Sequence, residues 1–167
     1  VWSAPGARIV GRPVISRDGN RVAFSVRQHD ETMLYVVNAD GTDARPITRS
    51  LELQGAPAWM PDGRGITIAA VVDGVPRLFN VPIDGGAPAP LVEQYSVDPV
   101  WSPDGAFVVF SGPDVGTTFE VNAVSPDGRP YHFPHLTLTR GARHLAVLPG
   151  NRLVVLRGEL QHKDLWS

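Results

Sequence analysis

The sequence predicts an all-β fold: a portion of a β-propeller built from about four blade units, each a four-stranded antiparallel sheet. Three observations predict it. An eleven-residue phrase occurs four times, most clearly as Ser102-Pro103-Asp104-Gly105-Ala106-Phe107-Val108-Val109-Phe110-Ser111-Gly112, with other copies beginning at Ser16, Met60 and Leu148. With Asp18, Asp62, Asp104 and Gly150 as anchors, the spacings are 44, 42 and 46 residues, the period of blade arrays. Finally, 17 glycines and 16 prolines in 167 residues suit many short strands separated by tight turns.

Each unit opens with a short first strand: Pro13-Val14-Ile15-Ser16, Pro57-Ala58-Trp59-Met60, Pro99-Val100-Trp101-Ser102 and Leu145-Ala146-Val147-Leu148. After the turn comes an alternating strand, in which Val22, Phe24 and Val26 share one face and Ala23 and Ser25 the other. Ile66 and Ile68, Val108 and Phe110, and Val154 and Leu156 are expected to keep that parity and to be buried between stacked blades. Third strands are expected at Met33–Val37, Arg77–Val81 and Phe119–Val124, with the start of another at Asp164-Leu165-Trp166. Three of these units turn on Asp40-Gly41, Asp84-Gly85 and Asp127-Gly128, where glycine supplies positive φ and aspartate bonds its own following backbone. Arg45-Pro46-Ile47-Thr48 and Pro90-Leu91-Val92 then read as outer strands, since proline suits an unpaired edge. In the fourth copy, Asn151 stands where the others place glycine and is expected to preserve the turn, because asparagine tolerates left-handed backbone.

Val1-Trp2-Ser3 resembles Leu165-Trp166-Ser167, so the chain is expected to start and stop within a blade. Residues 1–167 are therefore expected to be one propeller portion, either an excerpt of a larger ring or a half that self-associates through open blade edges.

Composition narrows the function classes. Fifteen basic and 17 acidic residues give a net charge of −2 without a dense basic stripe, so no nucleic-acid partner is expected. No apolar run approaches the roughly 20 residues that cross a bilayer, so no membrane insertion is expected, any leader or anchor lying outside the chain. The lack of cysteine excludes disulfides and thiolate metal sites and leaves the compartment open.

On these phrases the chain resembles the TolB-like β-propellers, whose repeats carry Trp-Ser-Pro-Asp-Gly before an alternating strand. Trp101-Ser102-Pro103-Asp104-Gly105 matches in full; Trp59-Met60-Pro61-Asp62-Gly63 departs at Met60; Ile15-Ser16-Arg17-Asp18-Gly19 lacks the tryptophan and the proline. The resemblance implies a funnel-shaped disc with the short first strands nearest the axis. It also implies one of several roles: a periplasmic docking platform, a gating propeller in front of a serine peptidase domain, or a sensor domain of a regulator or kinase. The function expected is a non-enzymatic scaffold that binds a protein or peptide. The alternative is the accessory propeller of a larger enzyme of the prolyl-oligopeptidase or tricorn type. A periplasmic or other extracytoplasmic setting is implied, a cytoplasmic one stays open, and no cofactor is expected.

The residues just before the first strands, Arg12, Ala56, Asp98 and His144, are equivalent by repeat register. Three of the four are ionisable, so Arg12, Asp98 and His144 are the candidate binding residues of a channel mouth, suited to a carboxylate, a peptide terminus or a cation. The competing reading is a set of solvated loop residues around a wide axial opening. His132 and His135 form a His-x-x-His pair, but Pro134 opposes a helix that would align them, and an aromatic-rich blade edge is the expected reading. If Tyr131–His135 is an outer strand, the two imidazoles point to opposite faces. The Asp-Gly turns lack the ligand spacing of a helix-loop-helix calcium site. Ser16, Ser102 and Ser125 precede turns and lie in no nucleophile elbow, so no catalytic residue is assigned. Trp59 and Trp101 are expected to pack between blades, each indole N–H reaching a neighbouring backbone carbonyl.

Overall fold

The computed structural model describes residues 5–48, 51–139, 144–150 and 152–156, with the backbone alone for His144, Val155 and Leu156. Among them are fourteen strands and no helix. The first sheet comprises β1 (Ala7–Ile15), β2 (Arg21–Gln28), β3 (Glu31–Asn38) and β4 (Arg45–Pro46); the second β5 (Leu53–Trp59), β6 (Gly65–Val72), β7 (Val75–Pro82) and β8 (Ala89–Val92). The third holds β9 (Val97–Trp101), β10 (Val108–Val115), β11 (Thr118–Val124) and β12 (Leu136–Thr139), and the fourth β13 (His144–Leu148) and β14 (Arg152–Leu156). Within each sheet, neighbours in sequence pair antiparallel. The chain is thus an all-β partial propeller, as its repeat predicts.

The first turn of each blade is built by the recurring phrase. Ser16 Oγ donates to Asp18 Oδ1 at 2.6 Å and accepts from Arg21 N at 2.9 Å, and Gly19 N closes on Ser16 O at 2.9 Å. Ser102 repeats this with Asp104 at 2.7 Å and Phe107 N at 3.1 Å. Both hydroxyls are therefore engaged as donor and acceptor within their turns. Gly19, Gly63 and Gly105 adopt φ of 74°, 68° and 74°, the region where a Cβ is strained.

Gly150 shares that left-handed role at φ 77°, so it aligns with these glycines rather than with the aspartates before them. The expected register of the fourth unit is corrected by one residue, and because side chains alternate, such a slip exchanges the faces of a strand. Leu153, not Val154, packs against the third sheet, as Ile66 and Val108 pack against the sheets before theirs. Asn151, the expected strand at Asp164–Trp166 and both chain ends lie outside the described residues.

Three apolar layers join the four sheets. Ala23, Leu34, Val36 and Ile47 meet Trp59, Ile66, Ile68 and Val81 between the first and second. Ala69, Leu78 and Leu91 meet Trp101, Val108 and Phe110 between the second and third. Phe107, Val109, Phe119 and Val121 meet Leu145, Val147 and Leu153 between the third and fourth. Alternation thus gives each middle blade two buried faces, one for each neighbour. Trp59 Nε1 donates to the Val14 carbonyl at 3.0 Å, as expected, but Trp101 Nε1 takes the Thr67 hydroxyl at 2.8 Å instead of a carbonyl.

The edge strands follow expectation in the second blade, where β8 contains Pro90-Leu91-Val92, and depart from it in the first. β4 is only two residues long, and β1, at nine, is not short. Beyond β4, the Leu34 N–H donates to Thr48 Oγ1 at 2.9 Å, and Leu78 N uses Ser96 Oγ likewise at 3.1 Å, so a buried hydroxyl replaces a missing strand carbonyl. Tyr131–His135 is not a strand; it is irregular, precedes β12 and leaves His132 and His135 exposed. Its order comes from Tyr131, stacked on Phe107 at 4.7 Å between centroids.

Candidate functional site

The first strands carry an extra loop of backbone where they pass one another. Between the pairs Val10↔Ser25 and Val14↔Ala23, β1 holds Gly11-Arg12-Pro13 opposite a single residue of β2. Between Gln54↔Ala69 and Ala58↔Thr67, β5 holds Gly55-Ala56-Pro57 in the same way. β9 has one residue fewer, holding Asp98-Pro99 between Val97↔Ser111 and Val100↔Val109. Proline cannot donate to a ladder, and a bulge accommodates it.

Each bulge begins with a left-handed residue: Gly11 at φ 78°, Gly55 at 70° and Asp98 at 53°. The expected equivalence of Arg12, Ala56 and Asp98 is therefore modified. All three precede a proline, but Asp98 occupies the backbone position of Gly11 and Gly55. Its carboxylate lies against Gly55 of the neighbouring blade, so closely that a Cβ added there would collide with Asp98 Oδ1. Gly55 is thus the residue type that lets Asp98 lie across the blade boundary.

These bulges line a groove of about 1110 Å³ formed by β1, β5 and β9 with Leu145 of β13. The structure brings Arg12, Ala56 and Asp98 together on it. His144 opens β13, pairing with Leu156, and its side chain lies outside the described residues. At one end the walls also carry Arg27, Thr32, Glu52 and Gln54; at the other lie Arg17, Met60, Pro61, Ser102 and Pro103 from the first turns. Ile15 and Pro13 contribute apolar surface, while Trp59 and Trp101 border the groove but are buried between blades, so the groove combines apolar area with charges of both signs.

Sequence reasoning missed Arg17, Arg27 and Glu52. A signal existed for the first: Arg17 stands where the next two copies of the phrase carry Pro61 and Pro103. Its Nη1 donates to the Pro103 carbonyl, joining the first blade to the third. Nearby, Asp18 and Asp104 have carboxyls held below the ordinary aspartate range, chiefly by the hydroxyls of Ser16 and Ser102 and then by backbone N–H donors. These carboxylates are committed to their own turns. Among the described residues, no group of three or more histidine, cysteine or acidic side chains is placed to hold a metal.

The family model of the TolB beta propeller domain matches residues 3–163. This chain belongs to that family. Over 46 residues it is 41% identical to the Tol-Pal system protein TolB of Anaeromyxobacter dehalogenans, a match covering 28% of this chain and 11% of that protein. Over 82 residues it is 28% identical to Dipeptidyl-peptidase 5 of Porphyromonas endodontalis, covering 46% and 12% respectively. The structure of putative TolB from Agrobacterium tumefaciens superposes with a TM-score of 0.67 at 21% identity, over 80% of this chain and 50% of that one. These matches span about a tenth of either curated relative, and the structural likeness concerns the fold.

Proposed function

We propose that this TolB-family propeller portion is a non-enzymatic scaffold that binds a protein or peptide segment in the groove between its first strands. The observation that carries the reading is the convergence of three bulged strands on one cavity of about 1110 Å³, with Arg12 and Asp98 on its walls. Bulges re-aim side chains and leave ladder groups unpaired, which an extended peptide can use. The surface of Ile15 and Pro13 provides burial, and the charges provide orientation. A protein partner also accords with the similarity to TolB of the Tol-Pal system.

The test is retention of a random hexapeptide pool by the immobilised 167-residue chain. Replacing Arg12→Ala and Asp98→Asn together should weaken retention by about tenfold or more, the effect of losing one or two charged contacts, at an unchanged melting temperature. His144→Ala is the third arm, testing the expected ring. Unchanged retention in all variants would remove the groove as the site.

The similarity to Dipeptidyl-peptidase 5 favours a second reading, an accessory propeller that selects substrates for a peptidase domain in the same polypeptide. The coding sequence beyond Ser167 separates the two: an α/β-hydrolase segment with a nucleophile elbow supports the second reading, and its absence supports the first.

A further inference from the structure

Resting on the groove as a peptide site, we propose that its turn end receives the free carboxyl terminus of the bound peptide, with Arg17 as the residue that takes the carboxylate. The turn does not need an arginine. Proline fills this position in the next two copies, pre-setting φ for the turn, and among the described residues the Arg17 N–H has no partner that a proline would remove. What distinguishes the first copy is therefore the side chain.

That side chain crosses the end of the groove. Arg17 Nη1 bonds to Pro103 O, 86 residues along the chain and two blades away. The turns of the second and third blades also lie close together here, since a Cβ added to Gly105 would reach van der Waals contact with Pro61 at 3.5 Å. An internal peptide segment must leave the groove again, and this strap lies across that exit. A chain terminus has no such requirement.

Among the described residues the guanidinium also has unused capacity. It offers five N–H donors in a planar fork that fits a carboxylate, and the bond to Pro103 uses one. The nearest turn carboxylates do not take the others. Asp18 accepts from Ser16 Oγ, Asn20 N and Asn20 Nδ2, and Asp104 from Ser102 Oγ and Ala106 N. Glu52 lies toward the opposite end, beside Arg27 and Thr32. A cation with open donors at a strapped end, and acids elsewhere on the walls, matches a ligand that enters with its carboxylate foremost.

The experiment compares two matched pools of hexapeptides lacking Asp and Glu, one ending in the free acid and one in the carboxamide. Each is passed over the immobilised 167-residue chain and over its Arg17→Pro, Arg17→Gln and Arg17→Lys variants. The unsubstituted chain should retain acids over amides by about tenfold, the discrimination of one charge-assisted pair. Arg17→Pro restores the residue of the neighbouring copies and should erase that preference while melting no lower; Arg17→Gln should do the same, and Arg17→Lys should keep part of it. Equal retention of both pools would overturn the inference and leave the groove reading standing. A preference that survives Arg17→Pro and Arg17→Gln would overturn the assignment to Arg17. Retention of neither pool would overturn both readings. A third pool of amides carrying an internal Asp, retained as well as the acids, would show that a side-chain carboxylate suffices and overturn the claim for a terminus.

Discussion

The hydrogen bond between Trp101 and Thr67 offers a quantitative test of how the blades are joined. Thr67 is fully buried, receives the indole N–H at 2.8 Å and passes its own proton to Asn80 Oδ1 at 2.7 Å. Trp101→Phe keeps an aromatic ring in the layer between the second and third sheets but leaves a buried hydroxyl short of a donor, which costs about 1–3 kcal/mol. The smaller ring adds about 1 kcal/mol of lost packing, giving about 2–4 kcal/mol in all. Thr67→Val strands the indole N–H and Asn80 Oδ1 by the same reasoning and should cost a similar amount. Once one partner is gone, removing the other loses no bond between them, so the double variant should be more stable than additivity predicts by about 1 kcal/mol. Urea unfolding followed by far-UV circular dichroism measures all four chains, with thermal melting as a check at about 2–4 °C per kcal/mol. A Trp101→Phe change below about 0.5 kcal/mol, within the range of ordinary surface substitutions, would refute a bonded inter-blade indole. Strict additivity would refute the pairing.

Other consequences are equally direct. Gly55→Ala places a Cβ against Asp98 at φ 70° and should cost about 2–3 kcal/mol, whereas Gly19→Ala at φ 74° meets open space and should cost only the conformational strain of about 1 kcal/mol. Adding Asp98→Ala to Gly55→Ala should recover part of the larger loss, and equal costs at the two glycines would contradict the contact; urea unfolding reads both. Asp18, Asp40, Asp104 and Asp127 all titrate below the ordinary aspartate range, each held down first by a neighbouring serine or threonine hydroxyl. Their stabilisation is complete above the unfolded value of about 3.9 and is lost as pH falls through the folded values, so melting temperature should decline below about pH 4. Ser16→Ala with Ser102→Ala should make that decline shallower; an unchanged acid profile would show that these hydroxyls do not set it. In neutral buffer, Arg17→Pro should melt at or slightly above the unsubstituted chain, by up to about 1 kcal/mol of reduced unfolded-state freedom, and a lower melting point would show that the strap to Pro103 carries stability.

Much of the architecture is legible in the sequence because it rests on local rules. Two-residue alternation in Val108-Val109-Phe110 required two apolar partners, and only stacking on both sides supplies them. The recurring serine, aspartate and glycine specified the turn by their own hydrogen bonds, and Trp59 found the expected carbonyl. The errors arose where residue identity and backbone conformation part company. Gly150 stands in the phrase where the other copies carry aspartate, but the turn is defined by which residue is left-handed, and this makes Leu153 rather than Val154 the side chain that packs on the third sheet. The missing residue in the third bulge was hidden for the same reason: the proline after Asp98 preserved the phrase while the ladder lost a position.

Three of the departures fall on the groove. A repeat array needs equivalent contacts wherever blades pack, and the apolar layers keep them. On the groove the equivalence fails three times: Arg17 replaces a turn proline, Asp98 takes a glycine conformation, and the third bulge is one residue shorter than its predecessors. The first two changes each give up a locally favourable choice, since proline pre-sets the turn and glycine adopts positive φ without strain. Local rules are broken chiefly where function requires it. Under the proposed function this asymmetry is what orients the ligand, since a propeller made of repeats can orient a peptide only where its repeats differ.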